Sequence, residues 1–221
     1  MASKPKAPSG HDARSAKTRE HLLEATIEVI GSVGYEAAST RVLAKAANAN
    51  LSAIPYHFGG KKELYLAAAQ MIADYARGRF EEIGALLDGG AEADPRRRFE
   101  GALIHLLHIV LEDAEPHSWT SFFARCTYDK DEAFELIHTE AIKPLVNRLA
   151  LAARDMSASK AEDEIIRLRV SAIVTVIMSF RFLRGIVLRS IDGDDFQGGH
   201  VAQFEVMVRD LCRAIFSHDL I

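Results

Sequence analysis

Between Ser39 and Lys61 the chain gathers side chains that suit one chemistry, the recognition of a polyanion with readable edges. The stretch is STRVLAKAANANLSAIPYHFGGK. Ser39 and Thr40 bring hydroxyls and, at a helix start, free N–H groups, both suited to phosphate oxygens. Arg41 carries a planar fork that meets a guanine edge with two parallel bonds. Tyr56, His57 and Lys61 are donors of the kind that hold phosphates, and Lys45 points further along as a backbone-seeking or solvated charge. Leu51, Ser52, Ala53 and Pro55 offer small groups that suit a thymine methyl. The plain alternative is a helical hairpin in a larger core. The concentration of phosphate and base-edge partners in one compact unit favours DNA.

These residues need two short helices and a tight turn to hold them. Ser39 is a good N-cap, and Leu43, Ala46 and Ala47 form an apolar stripe behind it. Asn48 tolerates the left-handed conformation that ends a helix. A second segment from Ser52 to Phe58 has Ile54 and Phe58 as buried anchors. Together they predict a helix-turn-helix whose second helix fits a major groove.

The stretch from Thr18 to Ala69 resembles the N-terminal domain of TetR-family transcriptional regulators. The resemblance rests on Gly34-Tyr35 after the first helix, Ser39-Thr40 at the second, and Tyr56-His57-Phe58 followed by Lys61, Leu64 and Tyr65. Ala49 to Ile54 before Tyr-His-Phe is similar to the CecR-like subgroup. The resemblance implies that Arg41 reads a base and that Tyr56, His57 and Lys61 clamp phosphates, with packing under the helix the alternative for His57. It also implies a homodimer on a palindromic operator and a body that binds a small-molecule effector. Pro55 departs from the family pattern. Within the first turn its missing N–H costs nothing, but it puts the usual contact at that position in doubt.

The charge distribution agrees. Met1 to Leu66 holds nine Lys/Arg and six Asp/Glu, a balance of +3; the remainder holds 18 and 25, a balance of −7. A basic head on an acidic body fits a DNA reader joined to a part that does not touch DNA. With a pI near 6.1, sequence-blind binding along nucleic acid is disfavoured. Cys126 and Cys212 stand apart without metal spacing and read as buried thiols of a reducing compartment. A polar N-terminus and short apolar runs predict neither leader nor membrane partner, hence a cytoplasmic protein.

The whole chain reads as all-α. Residues 1–14 are expected to be a disordered basic arm, 15–64 the helix-turn-helix head, and 65–221 an effector-binding and dimerisation body. Helical patterns predict a support helix over Ala16–Val33, with stripe Leu22, Leu23, Thr26, Ile27, Ile30 and Val33, ended by Gly34. One long helix follows from Lys61 to Leu87. Asp94-Pro95 launches the body. Further helices are expected over Trp119–Thr127, over Glu132–Met156 with a kink or division at Pro144, over Ala161–Leu188 after the capping box Ser159–Glu162, and over Val201–His218. The last two have apolar faces broader than one bundle core needs, which points to pairing with a second copy.

In the body, His105 and His108 are spaced i, i+3, which permits a metal pair, but no third ligand presents itself and no metal or cofactor is expected. Trp119, Phe122, Phe123 and Arg125 form one aromatic-guanidinium group and Phe180, Arg181, Phe182 and Arg184 another. Such groups can line a pocket for a flat or anionic effector, or simply pack a core. No GxSxG, HExxH, Walker loop or paired-carboxylate signature occurs, so catalysis has no support. The sequence thus reads as a dimeric repressor released from its operator by an effector. An activator with the same binding, or a small-molecule-binding protein or enzyme with a vestigial head, are the alternatives.

Overall fold

A computed structural model describes residues 10–89, 94–112, 116–156 and 163–216, and every regular element among them is helical. The helices are α1 (Gly10–Val33), α2 (Thr40–Ala46), α3 (Ala53–Phe58), α4 (Lys61–Leu87), α5 (Pro95–Leu111), α6 (His117–Asp129) and α7 (Glu132–Ile137). After a π-helical turn, His138–Ile142, come α8 (Lys143–Met156), α9 (Asp163–Phe182), α10 (Arg184–Ser190) and α11 (Gly198–Phe216). They form two compact units. The first takes the chain up to Ile72 together with Pro116–Ile137; the second takes Ala73–Glu115 and His138 onward. Helices α6 and α7, expected in the body, therefore belong to the same unit as the helix-turn-helix, where α6 packs on α1.

In the first unit the core is built from Leu22, Ile27 and Ile30 of α1, Leu43 of α2, Ile54 of α3, Leu64 and Ala68 of α4, and Phe122 of α6. α2 and α3, with 7 and 6 residues, are too short to persist alone and rely on this burial. Helix α1 starts at Gly10, earlier than the expected Ala16, so part of the presumed arm is helical. Val33, expected in its stripe, is exposed, because the chain turns away at Gly34 with φ 84°. On α2 the buried stripe is Leu43, Ala44 and Ala47, whereas the expected Ala46 faces out. Phe58, expected as a buried anchor, is half-buried and carries the Arg19 guanidinium 5.1 Å from its ring centre.

The second unit has its own core, from Ile83 of α4 and Phe99, Leu103, Leu106 and Leu107 of α5 to Leu149 of α8 and Val170, Ile173 and Ile177 of α9. Asp94 caps α5, accepting from the Arg96 N–H at 3.1 Å, with Pro95 in the first position. The division expected at Pro144 takes the form of the π-turn just before it. A proline ring clashes with the carbonyl four residues back, and widening the helix by one residue relieves that clash. The single helix expected to Leu188 is broken instead: α9 and α10 are bent by 75° at Leu183. Beyond the break Arg184 pairs with Asp195 and stacks 4.4 Å over the Phe196 ring. The capping box at Ser159–Glu162 lies outside the described residues.

Two glycines show how packing decides a substitution. A Cβ on Gly31 of α1 would sit 2.8 Å from the Ser118 carbonyl oxygen and 3.1 Å from the Phe122 nitrogen, both backbone atoms of α6. A Cβ on Gly84 of α4 would meet only the movable end of the Arg148 side chain, which pairs with Asp88 at the surface. Gly31→Ala is expected to cost about 1–3 kcal/mol through overpacking, despite its helix propensity. Gly84→Ala is expected to stay within about 1 kcal/mol of neutral, as propensity gain offsets a weak surface pair. Urea denaturation of both variants checks the contrast.

Candidate nucleic-acid interface

The face that α2 and α3 turn to solvent starts with two caps. Ser39 accepts from the Val42 N–H at 3.3 Å, fixing the start of α2 and leaving its hydroxyl hydrogen to donate outward. At the other end Asn48 takes φ 49°. The Asn48 N–H donates to the Lys45 carbonyl and the Ala49 N–H to the Ala44 carbonyl at 2.9 Å. This is a Schellman cap with Asn in the place glycine usually holds. The Asn50 carboxamide oxygen then accepts from the Ser52 N–H and hydroxyl, both at 3.1 Å, and starts α3. The turn is thus fixed by two asparagines.

Pro55 stands third in α3, within the first turn, where its missing N–H breaks no ladder. Ser39, Arg41, Leu51, Ser52, Pro55 and Tyr56 are exposed; Thr40, Ala53, His57 and Lys61 are half-buried. Tyr56 is 75 % exposed, high for an aromatic ring. His57 lies between Tyr56 and Phe58, its ring edge-on to both at 4.8 and 6.3 Å. The Lys61 ammonium lies 4.1 Å over the Tyr35 ring, a support that is not legible in the sequence, where Gly34-Tyr35 marks only the family resemblance.

Behind this face, α6 and α7 brace α1 and α4. Arg125 donates from Nε to the Gly31 carbonyl at 2.8 Å and from a terminal nitrogen to the Ser32 carbonyl at 2.5 Å. A cation here satisfies the unpaired carbonyls at the end of α1 and complements its dipole. Tyr65 of α4 donates to Asp131 Oδ2 at 2.6 Å, while Asp131 Oδ1 accepts from the N–H groups of Ala133 and Phe134 and caps α7. Burial and this bond raise the Tyr65 phenol above its usual range. Tyr65 also meets Tyr35 and Phe122, at centroid distances of 4.7 and 5.2 Å.

The residues proposed from sequence for an effector are dispersed. Phe122 and Arg125 are used as described, and Trp119 and Phe123 share their helix in the first unit. Phe180, Arg181 and Arg184 belong to the second, where Phe180 packs on Phe204 at 4.4 Å and Arg181 donates to the Glu112 carbonyl at 3.1 Å. His105 and His108 go to separate carboxylates, Glu82 at 2.9 Å and Glu205 at 2.7 Å, so their spacing serves two helix contacts. No group of three or more His, Cys, Asp or Glu residues poised for a metal occurs among the described residues. Both cysteines are free and buried, and burial pushes the Cys126 thiol up to about 12 and the Cys212 thiol up to about 11.

Residues 22–68 match the family model of the bacterial regulatory proteins of the tetR family. Residues 95–217, more than half of the chain, match the C-terminal domain of the HTH-type transcriptional dual regulator CecR. The chain is a TetR-family transcriptional regulator of the CecR type. It is similar to the dual regulator CecR of Shigella flexneri, 28 % identical over 184 residues that span 79 % of this chain and 80 % of that one. It is also similar to the transcriptional repressor AcnR of Corynebacterium glutamicum, 25 % identical over 158 residues, 72 % of this chain and 66 % of that one. Its fold is shared by a TetR-family regulator of Marinobacter aquaeolei, with a TM-score of 0.59, 19 % identity and coverage of 90 % and 97 %. The regulator is therefore a DNA-binding protein, and α2-turn-α3 is its helix-turn-helix.

One titration follows from the body of the regulator. Bonds from His108 and then Arg209 hold the Glu205 carboxyl below the usual carboxylate range. Such a group stabilises the fold above its unfolded pKa and loses that contribution as pH falls through its folded pKa. Glu205→Gln should lower Tm at neutral pH and flatten the acid-induced loss below about pH 4.5, near the unfolded carboxyl value. Thermal melts of both proteins across acid pH check the sign.

Proposed function

We propose that this regulator is a homodimeric repressor that binds a palindromic operator and is released by a small-molecule effector. Residues 15–64 read the operator, and 65–221 dimerise and take the effector, with 116–137 of that span bracing the reader. The observation that carries the reading is the exposed face of the matched helix-turn-helix. There Arg41, Ser52, Pro55 and Tyr56 face solvent on a scaffold whose α2 is capped at both ends. Arg41 reads a base; Ser39, Thr40, Tyr56, His57 and Lys61 hold phosphates; Leu51, Ser52, Ala53 and Pro55 meet base edges by shape and apolar contact. The protein acts in the cytoplasm, where the chromosome is, and performs no catalysis. No single helix among the described residues is long and apolar enough to cross a membrane.

Dimerisation has support in the second unit. Leu168 and Val176 of α9 and Val206 and Met207 of α11 are 41–69 % exposed, an apolar surface that a second copy would cover. Activation alongside repression is a second reading, favoured by one observation: the relative matched over most of its length is named a dual regulator.

Selection from random duplex DNA should yield a palindrome bound with steep salt dependence, the log–log slope growing by about one per phosphate contact. Arg41→Ala should cost about 1–3 kcal/mol and relax preference at one base pair of each half-site. No enriched sequence, or a variant whose affinity and base preference match those of the parent, would count against the reading. Leu168→Glu should give monomers by sedimentation and weaken operator binding together with dimerisation.

A further inference from the structure

Along one side of the second unit a furrow runs between α8 and α9. It begins as a groove of about 310 Å³ beside the π-turn. It adjoins a second groove of about 320 Å³, and Asn147 and Arg167 line both. These volumes lie at the lower end of those that hold small molecules.

The first groove has an unusual charge. Its ionisable lining residues are His138, Lys143 and Arg167, all bases, and no carboxylate lines it. That is notable in a protein whose part beyond Leu66 carries 25 acidic against 18 basic side chains. Ser171 and Thr175 add hydroxyls, and Val146 and Val174 form an apolar floor. The second groove continues with Ala150, Leu151 and Ile166, and its one acid, Asp163, is paired with Arg154.

The π-turn explains how two of the bases meet. In a regular α-helix residues five apart diverge by about 140°. A turn closed from i to i+5 removes most of that divergence, and His138 and Lys143, five apart, both line the groove. Single π-turns of this kind recur at functional sites. Arg167, from the other wall, adds a guanidinium, the side chain best suited to a carboxylate.

We infer that this furrow binds a small organic anion with a short apolar body, its carboxylate held among His138, Lys143 and Arg167 and its hydrocarbon directed toward Ala150, Leu151 and Ile166. The inference deepens the reading of the body as effector-binding and gives that effector a chemical class. It assigns the site to residues other than the aromatic-guanidinium groups picked out from sequence.

The test is calorimetric titration of the full chain, without DNA, with octanoate, acetate and octanol. Octanoate should bind, with acetate and octanol each at least about tenfold weaker, since each lacks one half of the match. Arg167→Gln and Lys143→Gln, both at exposed helix positions, should each weaken octanoate about tenfold. Arg189→Gln, an exposed position outside the furrow, should leave it unchanged. Circular dichroism on each variant separates lost binding from lost fold. Absent octanoate binding, equal binding of octanol, or octanoate affinity unchanged in both furrow variants would overturn the inference. Because the titration contains no operator, its failure leaves the DNA-reading proposal standing. The failure of operator selection would in turn leave the furrow's binding intact.

Discussion

Helices α1 and α6 approach so closely at Gly31 that a methyl group there would meet backbone on the far side. Much of the reading unit depends on that contact. Because α6 lies flush, Arg125 reaches the last carbonyls of α1, Phe122 enters the core, and the chain beyond α6 delivers Asp131 to Tyr65 of α4. The two helices of the helix-turn-helix, of seven and six residues, are each under two turns long and contribute little stability of their own. Their placement comes from α1 and α4, and these are held in turn by α6 and α7. A reading surface of such short elements has to borrow rigidity from what lies behind it.

In the turn between α2 and α3, backbone conformation is set by small polar side chains rather than by glycine. Asn48 adopts the left-handed conformation and Asn50 ties down Ser52, so the turn is both capped and non-glycine. An L-residue there narrows the unfolded ensemble more than glycine would. Pro55 acts in the same direction within α3, since its φ is fixed before the helix forms.

Features governed by near neighbours along the chain are legible in the amino-acid sequence. The Asn48 turn, the Asp94-Pro95 start, the all-helical class and the length of α4 follow from side chains within a few residues of each feature. Features governed by distant contacts are not. Nothing local distinguishes Ala44 from Ala46, yet the first is buried in the packed unit and the second is exposed. The break at Leu183 is marked by no proline, and Arg184 just beyond it pairs with Asp195 and stacks over Phe196, residues that lie past α10. Arg125, set among aromatics on an amphipathic helix, has the local look of a pocket residue. Its partners are two backbone carbonyls more than ninety residues away, and a sequence gives no sign of those. The pairing of His105 and His108 with Glu82 and Glu205 is likewise a matter of which helices become neighbours.

The route of the chain between its two units bears on how such regulators can be recombined. The backbone leaves the first unit after Ile72, returns at Pro116, and leaves again after Ile137. The reader is therefore not a detachable N-terminal cassette. A gene fusion that joins the first seventy or so residues to a foreign sensor would keep the whole helix-turn-helix and discard the segment holding Arg125 and Asp131. Exchange of specificity between relatives is better sought in the exposed positions of α2 and α3, one residue at a time, than in the transfer of whole heads.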